Sequence, residues 1–198
     1  MKTQNGTAGE GVAAGLSRAA FVADLGAVYN SFTMPILDER SLEFISHSPE
    51  QTLRLGARLG ERLLSGDLLS LSGELGAGKT TFAMGVGRGW GALEPVTSPT
   101  FVLVNEYRRA DGLCLRHMDC YRLNAAAEAL ALGLEDLLDA PGAMLIEWPE
   151  RILEVLPRER LSLKLSWVNE TKRGFRLEAV GARYEHLLNE FRRASFGG

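Results

Sequence analysis

The segment Gly73–Thr80, GELGAGKT, places glycines at 73, 76 and 78 ahead of Lys79 and Thr80 in the spacing G-x-x-x-x-G-K-[ST]. That spacing suits a polyphosphate. A tight glycine turn opening onto a helix N-terminus offers backbone N–H groups and the positive end of the helix dipole to an anion. Gly76 and Gly78 allow positive φ and close backbone approach. Lys79 supplies a point charge for β- and γ-phosphates, and the Thr80 hydroxyl can ligate Mg²⁺. Ala77 and Thr81 belong to the same nucleotide-contacting stretch.

Mg²⁺ also calls for a carboxylate, direct or through water. Two acids stand at the ends of apolar segments: Glu147 closing AMLIEW and Asp119 within LRHMDCYRL. Glu147 is the better candidate because its strand reads as fully buried, so its end marks the edge of the sheet. His117 and Asp119, two apart, share a strand face; a transition-metal site there is conceivable, but a hydrogen-bonded strand histidine fits the pattern better. TSPT, with Ser98 and Thr100, reads either as a loop sensing the γ-phosphate or as a plain proline turn. Trp148 reads as core packing or as an exposed contact.

These residues need elements to position them. SLEFIS alternates like a strand. Ser48, Pro49 and Gln51 give an N-cap, a first-turn proline and a capping-box partner. Leu53, Leu55, Leu59, Leu63 and Leu64 then predict a helix face running to a stop at Gly66. DLLSLS is a strand feeding the glycine turn, and a helix follows from Lys79 to Trp90. FVLVNEY and LCLRHMDCY predict a hairpin around RRADG. AAAEALALGLEDLLDA is helical with a break at Gly133, AMLIEW is a strand and PERILEVL a short helix. LSLKLSW and FRLEAV form a last strand pair before the helix ARYEHLLNEFRR. The alternation predicts one α/β domain over residues 41–198 with a mixed central sheet and flanking helices, and the glycine motif makes it a P-loop NTPase domain.

Residues 1–40 are rich in Gly and Ala and weakly patterned, which predicts a flexible extension. Met34, just before the first patterned segment, is an alternative start. Arg18 and Asp24 interrupt the only candidate targeting segment, and no apolar run approaches the ~20 residues of a membrane span. The expectation is a cytoplasmic protein with no membrane association. The chain has 198 residues, 45% hydrophobic and 24% charged, with a formal net charge of −3. That balance argues against a surface that coats nucleic acid. Cys114 and Cys120, six apart in a strand-like segment, would stand roughly 20 Å from each other, too far for a disulfide.

Taken in order, SGELGAGKTTF, TSPTFVLVNEY, HMDCYRL and LIEWPER resemble the TsaE (YjeE) family of bacterial P-loop ATPases, from about Ser41 to the Arg192 region. The resemblance implies ATP and Mg²⁺ as cofactors and slow ATP hydrolysis. It also implies action with a TsaD–TsaB complex that forms threonylcarbamoyladenosine at adenosine 37 of tRNA, which this chain would meet only indirectly. It implies roles residue by residue: Lys79 and Thr80 on phosphates and Mg²⁺, Glu147 as Mg²⁺ ligand, Asp119 in hydrolysis, and Trp148 in function. Ser48 and Thr52 would border the adenine, and Arg173, in a segment that matches only loosely, would touch the nucleotide. A small-molecule kinase would need an acceptor pocket and an Arg-rich lid, which the sequence does not display. A GTPase would need an N-K-x-D segment, and NETK is not one. A nucleotide-gated interaction module stays open.

Overall fold

The computed structural model describes residues 39–97, 99 and 103–197. Ser98, Thr100 and nearly all of the expected extension lie outside them.

Strand β1 (Ser41–Ser46) turns Leu42, Phe44 and Ser46 inward. Ser48 follows in extended conformation and caps helix α1 (Pro49–Gly60) by accepting from Gln51 N at 3.2 Å. The return bond of the box is displaced by one residue: Gln51 Oε1 accepts from His47 N at 2.8 Å, not from the cap itself.

Helix α1 ends at Gly60, short of the expected Gly66. Leu63 and Leu64 lie beyond it, and only Leu63 is buried. The cause is a polar staple past the helix end. The Asp67 carboxylate accepts from Leu64 N at 2.8 Å and from Arg183 Nε and Nη2 at 2.9 and 2.6 Å, while Arg183 also holds Arg62 O. Those bonds fix an irregular turn, and Gly66, at φ 92°, closes that turn rather than the helix.

Strand β2 (Leu68–Ser72) leads through the glycine turn into α2 (Lys79–Trp90). Helices α1 and α2 meet backbone to backbone. A Cβ on Gly60 would lie 2.1 Å from Val86 O, and one on Gly85 would lie 2.2 Å from Leu53 O. Gly85→Ala is therefore expected to lower the unfolding free energy by about 1–3 kcal/mol through overpacking, outweighing the ~1 kcal/mol that alanine gains in helix propensity. Urea denaturation checks this; a variant as stable as the parent would mean the helices separate without cost.

Strands β3 (Val104–Arg108) and β4 (Cys114–Asp119) form the expected antiparallel hairpin. Short helices α3 (Ala126–Ala131) and α4 (Leu134–Asp139) break at Gly133, which has φ 78°. Strand β5 (Gly142–Glu147) follows. PERILEVL is not one helix but two 3₁₀ turns, Pro149–Arg151 and Leu153–Val155. They part at Ile152, whose non-helical backbone (φ −137°, ψ 19°) accompanies a fully buried side chain. Strands β6 (Arg160–Trp167) and β7 (Arg173–Val180) pair antiparallel, and α5 (Ala182–Phe196) closes the described chain.

The sheet runs β1-β7-β6-β2-β5-β4-β3. Strands β6, β2, β5 and β4 are mutually parallel, and the flanking strands join antiparallel. Because side chains alternate along a strand, β5 feeds two cores. Ala143 and Leu145 pack with Leu69, Leu71, Phe82 and Val86 on the α1–α2–α5 face. Met144 and Ile146 pack with Met118, Leu134 and Ile152 on the other. The same alternation directs Glu147 to the face of α2, where it meets Thr80. Both cysteines are free, and burial pushes the Cys120 thiol up to about 12, far from a reactive thiolate. No helix among the described residues is long and apolar enough to cross a membrane.

Candidate functional site

The parallel strands bring their carboxyl ends to one edge. Glu147, last in β5, stands in register with Asp119, last in β4, and with Leu71, next to last in β2. The glycine turn starts from this edge, where open α/β sheets hold their ligands. Gly73 has φ 141°, and a Cβ there would lie 2.3 Å from Leu165 O on β6, so only glycine lets the turn pass. Gly78, at φ 95°, precedes α2 without any side-chain cap, so the first-turn N–H groups are left for a ligand. Ala77 is fully buried beneath the turn.

Lys79 is 5% exposed. Its Nζ donates to Gly73 O at 2.7 Å and Glu74 O at 3.1 Å, and lies 3.9 Å from the centre of the Trp148 ring. Burial holds its pKa below the ordinary lysine value, against the opposing pull of Glu147, Glu150, Asp119 and Glu74. Trp148 is the single non-glycine residue with positive φ among the described residues, at φ 58° and ψ 49°. Its N–H donates to Leu71 O at 3.1 Å, and its ring tilts against Tyr121 at 5.0 Å. Trp148 packs against the second core, that of Met144 and Ile146, and also lines the cavity described below.

Glu147 is 2% exposed. Its Oε1 accepts from His117 Nε2 at 3.0 Å and from the Thr80 hydroxyl at 3.4 Å. Asp119 Oδ1 accepts from Tyr121 N at 3.0 Å. Burial raises the Asp119 pKa above the ordinary aspartate value; the Tyr121 bond opposes this and the Glu147 charge adds to it. A raised carboxylate pKa means that the folded state binds its proton more tightly, so Asp119's contribution favours folding at low pH and is lost as pH rises through the folded pKa. Asp119→Asn should therefore raise the melting temperature of the nucleotide-free protein near neutrality, with the gain shrinking towards pH ~4. Thermal scans across that range check it; a gain that grows on acidification would contradict the sign.

Around these groups lies a cavity of about 740 Å³. Gly76, Gly78, Lys79, Thr80 and Thr81 form one wall, and Asp119, Glu147, Trp148 and Arg173 close other sides. The Arg173 side chain lies over Gly78, 3.6 Å from where a Cβ would stand, with Nη1 bonded to Asn169 O and Lys172 O. Ser48 and Thr52 do not line the cavity. Ser48 caps α1, and Thr52 Oγ1 shares a 2.8 Å hydrogen bond with Ser46 Oγ. Pro99 of the TSPT loop does line it. Tyr121, Arg122 and Glu128 line it as well, the first two inside HMDCYRL, and Tyr121 and Glu128 carried no individual sequence signal.

Thr80 and Glu147 offer a hydroxyl and a carboxylate within contact of each other. No group of three or more His, Cys, Asp or Glu side chains among the described residues could hold a metal by itself. A cation here would complete its shell with water and phosphate oxygens, which is how Mg²⁺ binds; a hard oxygen-seeking ion fits this donor set.

A strand-turn-helix anion cradle, at the carboxyl edge of a parallel sheet and faced by a buried acid, defines a P-loop α/β nucleotide-binding protein. The family model described as "Threonylcarbamoyl adenosine biosynthesis protein TsaE" matches residues 46–175. The chain is 39% identical over 155 residues to the tRNA threonylcarbamoyladenosine biosynthesis protein TsaE of Bacillus subtilis, covering 78% of this chain and 96% of that one. It is 40% identical over 141 residues to the protein of the same name from Nostoc, covering 69% and 85%. The crystal structure of YdiB from Bacillus subtilis superposes with a TM-score of 0.66 at 36% identity, covering 78% of this chain and 96% of that one. The chain belongs to the TsaE family.

Proposed function

We propose that this chain is a Mg²⁺-dependent ATPase that supports formation of threonylcarbamoyladenosine in tRNA, acting on a TsaD–TsaB complex and meeting tRNA only through it. The observation that carries the reading is the contact of Thr80 with the buried Glu147 beside an open glycine cradle.

In this reading Lys79 exchanges the carbonyls of Gly73 and Glu74 for phosphate oxygens, and the N–H groups at the start of α2 orient the polyphosphate. Thr80 and Glu147 would hold Mg²⁺, which would supply positive charge to offset that of the polyphosphate. Asp119, whose burial favours proton uptake, accepts a hydrogen bond from the attacking water and draws its proton. Arg173, already over Gly78, adds positive charge at the turn. Trp148 and Tyr121 line one side of the site. Turnover by the isolated chain is slow, and the partner complex stimulates it.

A nucleotide-gated module is the second reading. Leu75 favours it: 81% exposed at the tip of the turn, it is an apolar contact that a partner could cover. Reconstituted tRNA modification with TsaD–TsaB tests both. The first reading predicts sustained product with wild-type chain and little with Glu147→Ala. Undiminished product with a hydrolysis-dead Glu147→Ala would favour the gated module, and no dependence on the chain at all would sink both.

A further inference from the structure

We infer that His117 is a positioning residue for the cation site: its Nε2–H fixes the Glu147 carboxylate in the orientation that presents it to Thr80. The inference rests on Glu147 being a cation ligand, as proposed above. His117 lies in the middle of β4, opposite Leu145 in the parallel register, on the face that carries Asp119. It is fully buried. Its Nε2 stands 3.0 Å from Glu147 Oε1, the oxygen that the Thr80 hydroxyl reaches at 3.4 Å. An ionised carboxylate only accepts, so Nε2 must carry the proton.

The other ring nitrogen sharpens the point. Among the described residues, Nδ1 is buried with no hydrogen-bond partner. A histidine kept only to fill the core leaves that nitrogen as an uncompensated cost, and an apolar side chain would fill the space without it. Among the described residues, the polar bond the imidazole does make goes to the acid beside the glycine cradle. Without that donor Glu147 keeps one weak contact, to Thr80, and its carboxylate is free to rotate. Outer partners that orient a ligating group commonly change metal affinity ten- to a hundredfold.

The test titrates Mg²⁺ against binding of a fluorescent ATP analogue to the full chain, with melting temperature read in parallel. His117→Leu is expected to raise the Mg²⁺ midpoint about tenfold while analogue binding in EDTA stays unchanged, and His117→Gln, whose amide can reach the Nε2 position, should return it to within about twofold of wild type. In a Glu147→Gln background the His117→Leu change should add nothing, because the bond it removes acts through Glu147.

A His117→Leu midpoint within about twofold of wild type would overturn the inference, as would an equal shift with and without Glu147→Gln, which marks mere structural damage. Should His117→Leu fail to fold, Gln against Asn decides: the shorter Asn cannot reach Glu147, so a shift with Asn alone supports the role and equal behaviour of the two overturns it. Glu147→Gln serves as the separate control. If it leaves the midpoint where it was, the cation reading falls and the role of His117 with it; if it moves the midpoint while His117 variants do not, only the role of His117 falls.

Discussion

Glu147→Ala is expected to reduce Mg²⁺-dependent ATP turnover by about a hundredfold or more, measured with TsaD–TsaB present, a loss of the size seen when one group stabilising transition-state charge is removed. Binding of ATP in EDTA should survive, because the glycine turn, the α2 N-terminus and Lys79 are untouched. The variant acts through neighbours as well as through the cation. It leaves the Thr80 hydroxyl and His117 Nε2 without their shared acceptor. It also removes a negative charge that raises the pKa of both Asp119 and Lys79. The Asp119 pKa should therefore fall in the variant, so that whatever hydrolysis remains shifts its acid limb to lower pH. Turnover within about threefold of wild type would mean that the acid holds no ion during hydrolysis.

Lys79→Met has the second large effect, on binding rather than on the chemical step alone. The ammonium is nearly enclosed and spends its hydrogen bonds on Gly73 O and Glu74 O beneath the Trp148 ring. Those carbonyls are neutral acceptors; polyphosphate oxygens are anionic and form stronger bonds with the same donor. Bonds to charged groups are worth about 1.5–3 kcal/mol each, so losing one or two should weaken ATP binding by about 10- to 100-fold or more. Stability of the nucleotide-free protein should move the other way or not at all. Burial depresses the Lys79 pKa, so the folded state carries a cost for the charged ammonium at neutral pH, relieved only as pH rises through that lowered pKa. Methionine fills the same space without that cost. Calorimetric ATP titration together with melting curves checks the pair of effects; a variant that melts far lower than wild type would show that Lys79 is a structural group.

Local spacing made the central part of this site legible. The run from Gly73 to Thr80 needs no tertiary information, because the turn and helix start that it encodes are contiguous in the chain. Glu147 was legible at one remove, since a fully apolar strand ending in an acid implies a sheet edge. Its register opposite Asp119 was not, because parallel pairing depends on which strands the crossovers bring together. Leu63 and Leu64 continued the apolar rhythm of α1 past its end, and the Asp67–Arg183 staple that overrides it joins residues far apart in sequence. Ile152 split a predicted helix because burying one side chain outweighed the propensity of a short segment. The left-handed backbone of Trp148 leaves no trace in composition, yet it helps set the ring over Lys79. For His117 the sequence favours a hydrogen-bonded strand histidine over a metal ligand but not its partner, because a two-residue spacing to Asp119 points along its own strand and says nothing of Glu147 on the neighbouring one.

Anomalous diffraction from crystals grown with Mn²⁺ and a non-hydrolysable ATP analogue tests the arrangement most directly. One Mn²⁺ peak is predicted at the end of β5, contacting the Thr80 hydroxyl and the Glu147 carboxylate, with Lys79 Nζ moved from the Gly73 and Glu74 carbonyls onto phosphate oxygens. A polyphosphate bound away from the glycine turn, or a metal peak that contacts neither Thr80 nor Glu147, would contradict it.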